Sequence, residues 1–414
     1  MAPLCAGVLL CVLCVWECVG PSNPSHVDHG GVSLWSDRLL GEPSVMSLND
    51  RLDPQWYQAN NPESCPEGCF CPIQWPTALY CDQRALPSVP ADLPGDTQYL
   101  FLQRNNISSL PSSVLAEAPA LRWLIVDQNQ LEGELLEGPA LQNHTELRYL
   151  YANHNRLTAV PPGLPEGLRQ LRLAYNRISS LGADAFQHLQ HLTVLLLQGN
   201  RLQTVPSDSF TGTLLVCLFS SVSFVYVFVG FPYFLSVYCD SNLTDHSLHS
   251  DGSLSSPPGL LALDLLDLGE NRFKAVPAHL PPSLQQLYLS GNNFSELGEG
   301  SFAGLDRLKY LRLSRCGLRS PGVPRTAFNV STLVELDLSY NRLAVTPTVP
   351  NSLQYLYLEA NEIQEFKVSS FCQDKGPLSY SRMRILRLDG NKMSYSQLPV
   401  DWVYCLRVLH NIFI

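Results

Sequence analysis

The chain is short of charge. Lys, Arg, Asp and Glu together make up 15% of its 414 residues, and acids outnumber bases 37 to 27, for a formal net charge of −10. Nucleic-acid binding needs a basic face that releases condensed counterions. Adhesion to an anionic leaflet needs clustered Lys and Arg. This balance supports neither. Catalytic signatures are also missing: there is no H-E-x-x-H, no G-x-S-x-G and no P-loop. The ten histidines are scattered, with His154 and His191 inside the repeats described below, and no carboxylate is set apart by its context. The expectation is a protein that is not an enzyme and that uses no cofactor and no metal.

What the chain does have is apolar residues, 45% of the total. The first twenty, MAPLCAGVLLCVLCVWECVG, form an apolar run that ends in small residues near Gly20 and is followed by the polar PSNPS. This reads as a secretory signal over 1–20, although its start lacks Lys or Arg. Cleavage would remove Cys5, Cys11, Cys14 and Cys18 from the 13 cysteines. Residues 21–64, rich in Ser, Pro and Asp, read as a flexible arm. A secreted chain matures in an oxidising compartment, so its remaining cysteines read as disulfides.

Most of the rest repeats itself. The template L-x-x-L-x-L-x-x-N-x-L appears as Leu121-Leu124-Val126-Asn129-Leu131, again as Leu168-Leu171-Leu173-Asn176-Ile178, and again as Leu333-Leu336-Leu338-Asn341-Leu343. About eleven copies can be traced, at an Asn-to-Asn step of about 20 to 26 residues, within the leucine-rich range. Strand side chains alternate with period two, so the leucines of L-x-L go inward and the residues beside them face out. The asparagines form a ladder where the chain turns away. Cys316 takes one ladder position and reads as a buried structural thiol. Pro111, Pro161, Pro206 and Pro277 mark the turns that follow and suit an extended convex side better than helices. The fold class is therefore an α/β-type leucine-rich-repeat solenoid. A curved parallel β-sheet lines its concave face, and its convex face is irregular, polyproline or short-helical. The expected divisions are a cysteine-rich N-terminal cap at 65–96, repeats 1–5 at 97–212, repeats 6–10 at 260–371, and a last repeat with a disulfide cap at 372–414.

One segment breaks the rhythm. Residues 214–238, within LLVCLFSSVSFVYVFVGFPYFLSVY, carry no charge and are long enough to span a bilayer. Two readings compete. A true span would put Cys372 and Cys405 in a reducing compartment, leave Asn293 and Asn329 unglycosylated, and cut the solenoid. An aberrant apolar and polar insertion over 213–259 would leave it whole, because joining Gly212 to Leu260 restores the leucine-rich step.

Cys65, Cys69, Cys71 and Cys81 precede the first repeat as C-x3-C-x-C-x9-C, and Cys372 and Cys405 flank the last clear one. A zinc site is the rival to disulfides for the first four, and four cysteines allow three pairings. The cluster CPEGCFCPIQWPTALYCDQRAL, the stretch FNVSTLVELDLSYNRL, the phrase QEFKVSSFC and the closing FCQDKGPLSYSRMRILRLDGN resemble the small leucine-rich proteoglycans of the lumican, fibromodulin and keratocan group. The likeness covers nearly all of 61–414 apart from the interrupting segment. It implies the pairs Cys65–Cys71, Cys69–Cys81 and Cys372–Cys405, with an extended "ear" repeat between the last two. It also implies a secreted protein of the extracellular matrix that binds fibrillar collagen, regulates fibril assembly and carries N-linked keratan sulfate, with other matrix proteins or growth factors as further partners. Sequons stand at Asn106, Asn143, Asn293 and Asn329, and at Asn242 inside the interrupting segment. One departure counts against the sulfated tyrosine tail of that group: residues 21–64 hold a single tyrosine, Tyr57.

The concave sheet is the default binding face of a solenoid. Its outward column holds Tyr151, Arg172, Asp267, Tyr288, Arg312, Asp337, Tyr357 and Arg387, a mixture of aromatics and both charges that suits a partner such as a collagen triple helix. The alternative class is a membrane-attached leucine-rich-repeat receptor or adhesion protein, anchored through 214–238.

Overall fold

The computed structural model describes residues 61–133, 141–182, 185–206, 209–210, 262–372 and 380–414. The chain separates into two units, Met1–Glu63 and Ser64–Ile414, and the architecture below is that of the second. Its strands are β1 Ala78–Tyr80, β2 Tyr99–Phe101, β3 Trp123–Ile125, β4 Glu132–Gly133, β5 Tyr149–Tyr151, β6 Arg156–Leu157, β7 Gln170–Arg172 and β8 Val194–Leu196. They continue with β9 Leu265–Asp267, β10 Gln286–Tyr288, β11 Tyr310–Arg312, β12 Glu335–Asp337, β13 Tyr355–Tyr357, β14 Ile385–Arg387 and β15 Asn411–Phe413. All but β4 and β6 form one 13-stranded sheet in chain order, and its neighbours run parallel.

The leucine beat explains this sheet. The central leucines of its strands, from Leu79 and Leu100 through Leu266 to Leu386, are fully buried. Each contributes about 2 kcal/mol by leaving water. Connections between strands are mostly irregular. The described helices are short: α1 Ser112–Leu115, α2 Trp402–Cys405, and 3-10 turns at Ser320–Gly322, Val368–Ser370 and Tyr395–Gln397. In the connections phenylalanines stack, Phe186 on Phe210 and Phe302 on Phe328 between neighbouring repeats and Phe366 on Phe371 within one.

The ladder asparagines bind neighbouring repeats together. Asn129 Oδ1 accepts the Ile107 N–H at 3.1 Å, and its Nδ2 donates to the carbonyls of Leu102 and Val126. The residue just before the ladder position sits in the left-handed region in repeat after repeat, as at Arg104, Gln128, His154, Tyr175 and Ala360. Such a conformation costs a non-glycine residue roughly 1–2 kcal/mol, and the ladder bonds hold it. At Gly199, φ is +68° and a Cβ would stand 2.4 Å from the Tyr175 ring, so glycine is required there.

The sheet passes through the interruption without a gap. β8 pairs with β9 in register, Leu195 opposite Leu266. Leu197 N–H donates to Asp267 O at 2.9 Å, and Leu202 N–H to Asn271 Oδ1 at 3.0 Å. Residues 213–259 lie outside the described residues. A single span at 214–238 would put β8 and β9 on opposite sides of a hydrocarbon layer about 30 Å thick. Strands so separated cannot be hydrogen-bonded neighbours. Among the described residues no helix is long and apolar enough to cross a membrane.

Both ends of the sheet are covered. Cys65 is bonded to Cys71 and Cys69 to Cys81, which sets the zinc reading of these thiols aside. Within this cap Phe70 makes an antiparallel bridge to Tyr80 on the outer edge of β1, with N–H···O bonds of 2.7 and 2.9 Å. At the other end Cys372 is bonded to Cys405. Beyond the last leucine template an extra strand, β15, pairs with β14. The Tyr395 hydroxyl donates to the Ile412 carbonyl of β15 at 3.1 Å.

Candidate functional site

The outward residues of the sheet stand in two columns, one before and one after each central leucine. Parallel strands lie about 4.8 Å apart, so side chains in a column meet their neighbours across strands. In the column after the leucine this contact closes the surface over much of its length. Tyr151, Arg172, Asp267 and Tyr288 are only 4–8% exposed. The Arg172 guanidinium lies 4.1 Å over the Tyr151 ring and donates to Gln170 Oε1, which also accepts the Tyr151 hydroxyl. Asp267 Oδ1 accepts the Gly269 N–H at 2.8 Å. These four residues pack into the fold and leave little of their own surface for a partner.

The C-terminal half of the same column is open. Arg312, Asp337, Tyr357 and Arg387 are half-buried, and the three charged ones are tethered, Asp337 by the Ser339 N–H and hydroxyl, which donate to its Oδ1. Arg312 lies 4.5 Å over the Tyr288 ring and meets Glu335 at 3.3 Å. Arg387 grips both oxygens of Asp389 at 2.8 Å and lies over the Phe413 ring of β15. Burial pushes the hydroxyls of Tyr288 and Tyr357 up to about 12, so both remain neutral donors at physiological pH. Burial also raises the Glu359 carboxyl, one oxygen of which is buried without a hydrogen-bond partner. The hydrogen bond from Arg387 holds Asp389 below the usual carboxylate range. The result is a fixed lane of alternating positive, negative and aromatic groups. Glu335, which the sequence places with Tyr310 and Tyr355 in the outward column before the leucine, belongs to it, as do Glu359, Asp389 and Phe413, which were not anticipated.

At the N-terminal half the open column is the one before the leucine. Trp75, Tyr99, Trp123 and Tyr149 form a row of half-buried rings, with successive centroids 4.7, 6.4 and 4.5 Å apart. The sequon asparagines Asn106, Asn143, Asn293 and Asn329 are all exposed, and Asn242 lies outside the described residues. Cys316 is buried. Its thiol reaches the Leu289 carbonyl at 3.3 Å, and burial pushes it up to about 12, which fits a structural thiol. Among the described residues no cluster of His, Cys, Asp or Glu could hold a metal.

A parallel sheet of short strands, laddered by asparagine and closed by disulfides, makes the protein a leucine-rich-repeat binding scaffold. Models of the leucine-rich repeat match residues 145–202, 166–215, 262–318 and 332–356, and fall silent across most of the interruption. Human lumican is 37% identical over 374 residues, covering 90% of this chain and 96% of lumican. Bovine fibromodulin is 35% identical over 347 residues, covering 84% and 79%. The chain belongs to the small leucine-rich proteoglycan family. It is thus an extracellular matrix protein and not an enzyme. A chain in the octameric complex of Latrophilin 3, Unc5D and FLRT2 (LRR) superposes with a TM-score of 0.57 at 22% identity, covering 84% of this chain and 83% of that one. That likeness concerns the fold alone.

Proposed function

We propose that this protein binds fibrillar collagen through the open C-terminal half of its concave face and regulates fibril assembly. The supporting observation is the lane of Arg312, Asp337, Tyr357 and Arg387, in which rigid aromatics and oppositely charged groups alternate from strand to strand. A collagen triple helix offers both charges and an extended, repetitive surface, and the lane is complementary to it. Arginines held by neighbours, as Arg312 and Arg387 are, bind with little loss of side-chain entropy. In this reading the chain is secreted after loss of its first twenty residues. It carries N-linked glycans at Asn106, Asn143, Asn293 and Asn329, some bearing keratan sulfate.

The test is solid-phase binding of the secreted protein to collagen fibrils. Arg312→Ala with Arg387→Ala should weaken binding by about ten-fold or more, the loss expected for central charged anchors, with the melting temperature little changed. Unchanged affinity would overturn the placement. Tyr151 and Arg172, being part of the fold, should affect stability before affinity.

A further inference from the structure

The flank of the solenoid beside the N-terminal aromatic row carries a basic column that the collagen reading does not use. Arg122, Arg148 and Arg169 occupy the same position in three consecutive repeats, immediately before β3, β5 and β7. Their backbones are bonded in series: Arg148 N–H donates to Arg122 O at 2.9 Å and Arg169 N–H to Arg148 O at 2.8 Å. Their side chains therefore repeat at the strand spacing, about 4.8 Å. Arg122 and Arg169 are exposed. Arg148 is held in place, its Nη1 donating to Thr145 O. Its guanidinium also lies across Gly167, where a Cβ would stand 2.3 Å from Nη1.

Arg148 and Arg169 line a cleft of about 700 Å³ together with His188, His191 and Thr145. His188 Nε2–H donates to Leu164 O at 2.8 Å. Two carboxylates share the neighbourhood: Glu166 lines the cleft, and Glu146 stands 3.6 Å from Arg148. The column stays positive beside them, on a chain whose net charge is −10.

We infer that this arginine column and the adjoining row of Trp75, Tyr99, Trp123 and Tyr149 form a binding site for a sulfated polysaccharide chain. Both halves of the chemistry match such a ligand. Guanidinium groups pair with sulfate oxygens in forked geometry. Trp123 and Tyr149 stack on each other, and the outer edges of the ring row form an apolar strip against which the C–H faces of successive sugar units can pack. An acidic peptide would satisfy the arginines and leave the rings without a matched surface. The site lies on other repeats and another column than the collagen lane, so the two readings stand or fall separately.

The experiment is surface plasmon resonance of the secreted full-length protein over immobilised heparin, chemically desulfated heparin and polyglutamate. Heparin should bind and weaken steeply with added salt, and desulfated heparin should not bind. The triple variant Arg122→Ala, Arg148→Ala, Arg169→Ala should lose about ten-fold or more in affinity. Gly167→Ala keeps every charge but displaces the Arg148 guanidinium, and should weaken heparin several-fold. Arg201→Ala with Arg272→Ala, exposed in a different column, should leave it unchanged. Equal affinity across these variants overturns the proposal, as does equal binding of the desulfated chain. Capture of polyglutamate in preference to heparin would assign the column to an acidic protein segment and also overturn it.

Discussion

Cys316 offers a direct test of how the ladder works. In every other described repeat an N–H two residues past one ladder position donates to the side-chain oxygen of the next. Examples are Ile178 to Asn200, Phe273 to Asn292 and Leu318 to Asn341, all within 3.0–3.1 Å. At the equivalent place Phe294 N–H meets Cys316, which supplies no amide oxygen, and it donates to no described residue. A buried N–H without an acceptor costs about 1–3 kcal/mol. Cys316→Asn would supply the oxygen. Its new amide N–H groups would find the Leu289 carbonyl, which the thiol already reaches at 3.3 Å, and the Leu313 carbonyl. The side chains are similar in volume, so the exchange creates little strain. The variant should be more stable by about 1–2 kcal/mol. Urea denaturation would show this as a higher midpoint at constant slope, and amide exchange at Phe294 should slow. A midpoint that stays or falls would refute the view that each ladder amide holds its neighbour through this one bond.

Three further outcomes follow from other parts of the molecule. Replacing Cys372 and Cys405 by Ser opens a loop of separation 33 and should cost about 3–4 kcal/mol; hydrogen exchange should rise in β14 and β15 and not in β2 or β3. Deleting 213–259 shortens the connection from Leu196 to Leu265 by about two-thirds, so the variant should fold and gain about 1 kcal/mol in loop entropy; failure to secrete would contradict the insertion reading. The raised Glu359 carboxyl means that the folded state binds this proton more tightly than the unfolded chain. Its contribution to stability is therefore fully present below the ordinary carboxylate value and is lost as pH rises through the raised one. Glu359→Gln should stabilise by up to roughly 1 kcal/mol near neutral pH and flatten this part of a melting-temperature profile against pH.

Much of the fold is legible because its cause is local and repeated. Leucine at a fixed beat sets strand, direction and burial at once, as at Leu124, Leu266 and Leu356. The cap pairings came from resemblance, since spacing alone left several open. The binding face was only half legible. Period-two alternation told which way Tyr151 and Arg172 point, but not how far neighbours across strands would cover them. That depends on cross-strand packing, as in the stack of Arg172 on Tyr151. β15 was invisible because Asn411, Ile412 and Phe413 carry no leucine template. The left-handed residues before the ladder were hidden for another reason. Arg104, Gln128 and Tyr175 are not the residue types that favour such a backbone, and the bonds that hold it come from the next repeat.

The bond from Tyr395 to the carbonyl of Ile412 has a consequence for how these molecules meet. A ribbon of parallel strands has two unlike rims, and the last rim of one copy is built to receive the first rim of the next. Such a head-to-tail addition has no natural stop and would thread copies into a rod. One phenol at the trailing rim and one short hairpin at the leading rim fill those openings. Head-to-tail addition at the described rims would have to displace both the Phe70 bridge and the Tyr395 bond.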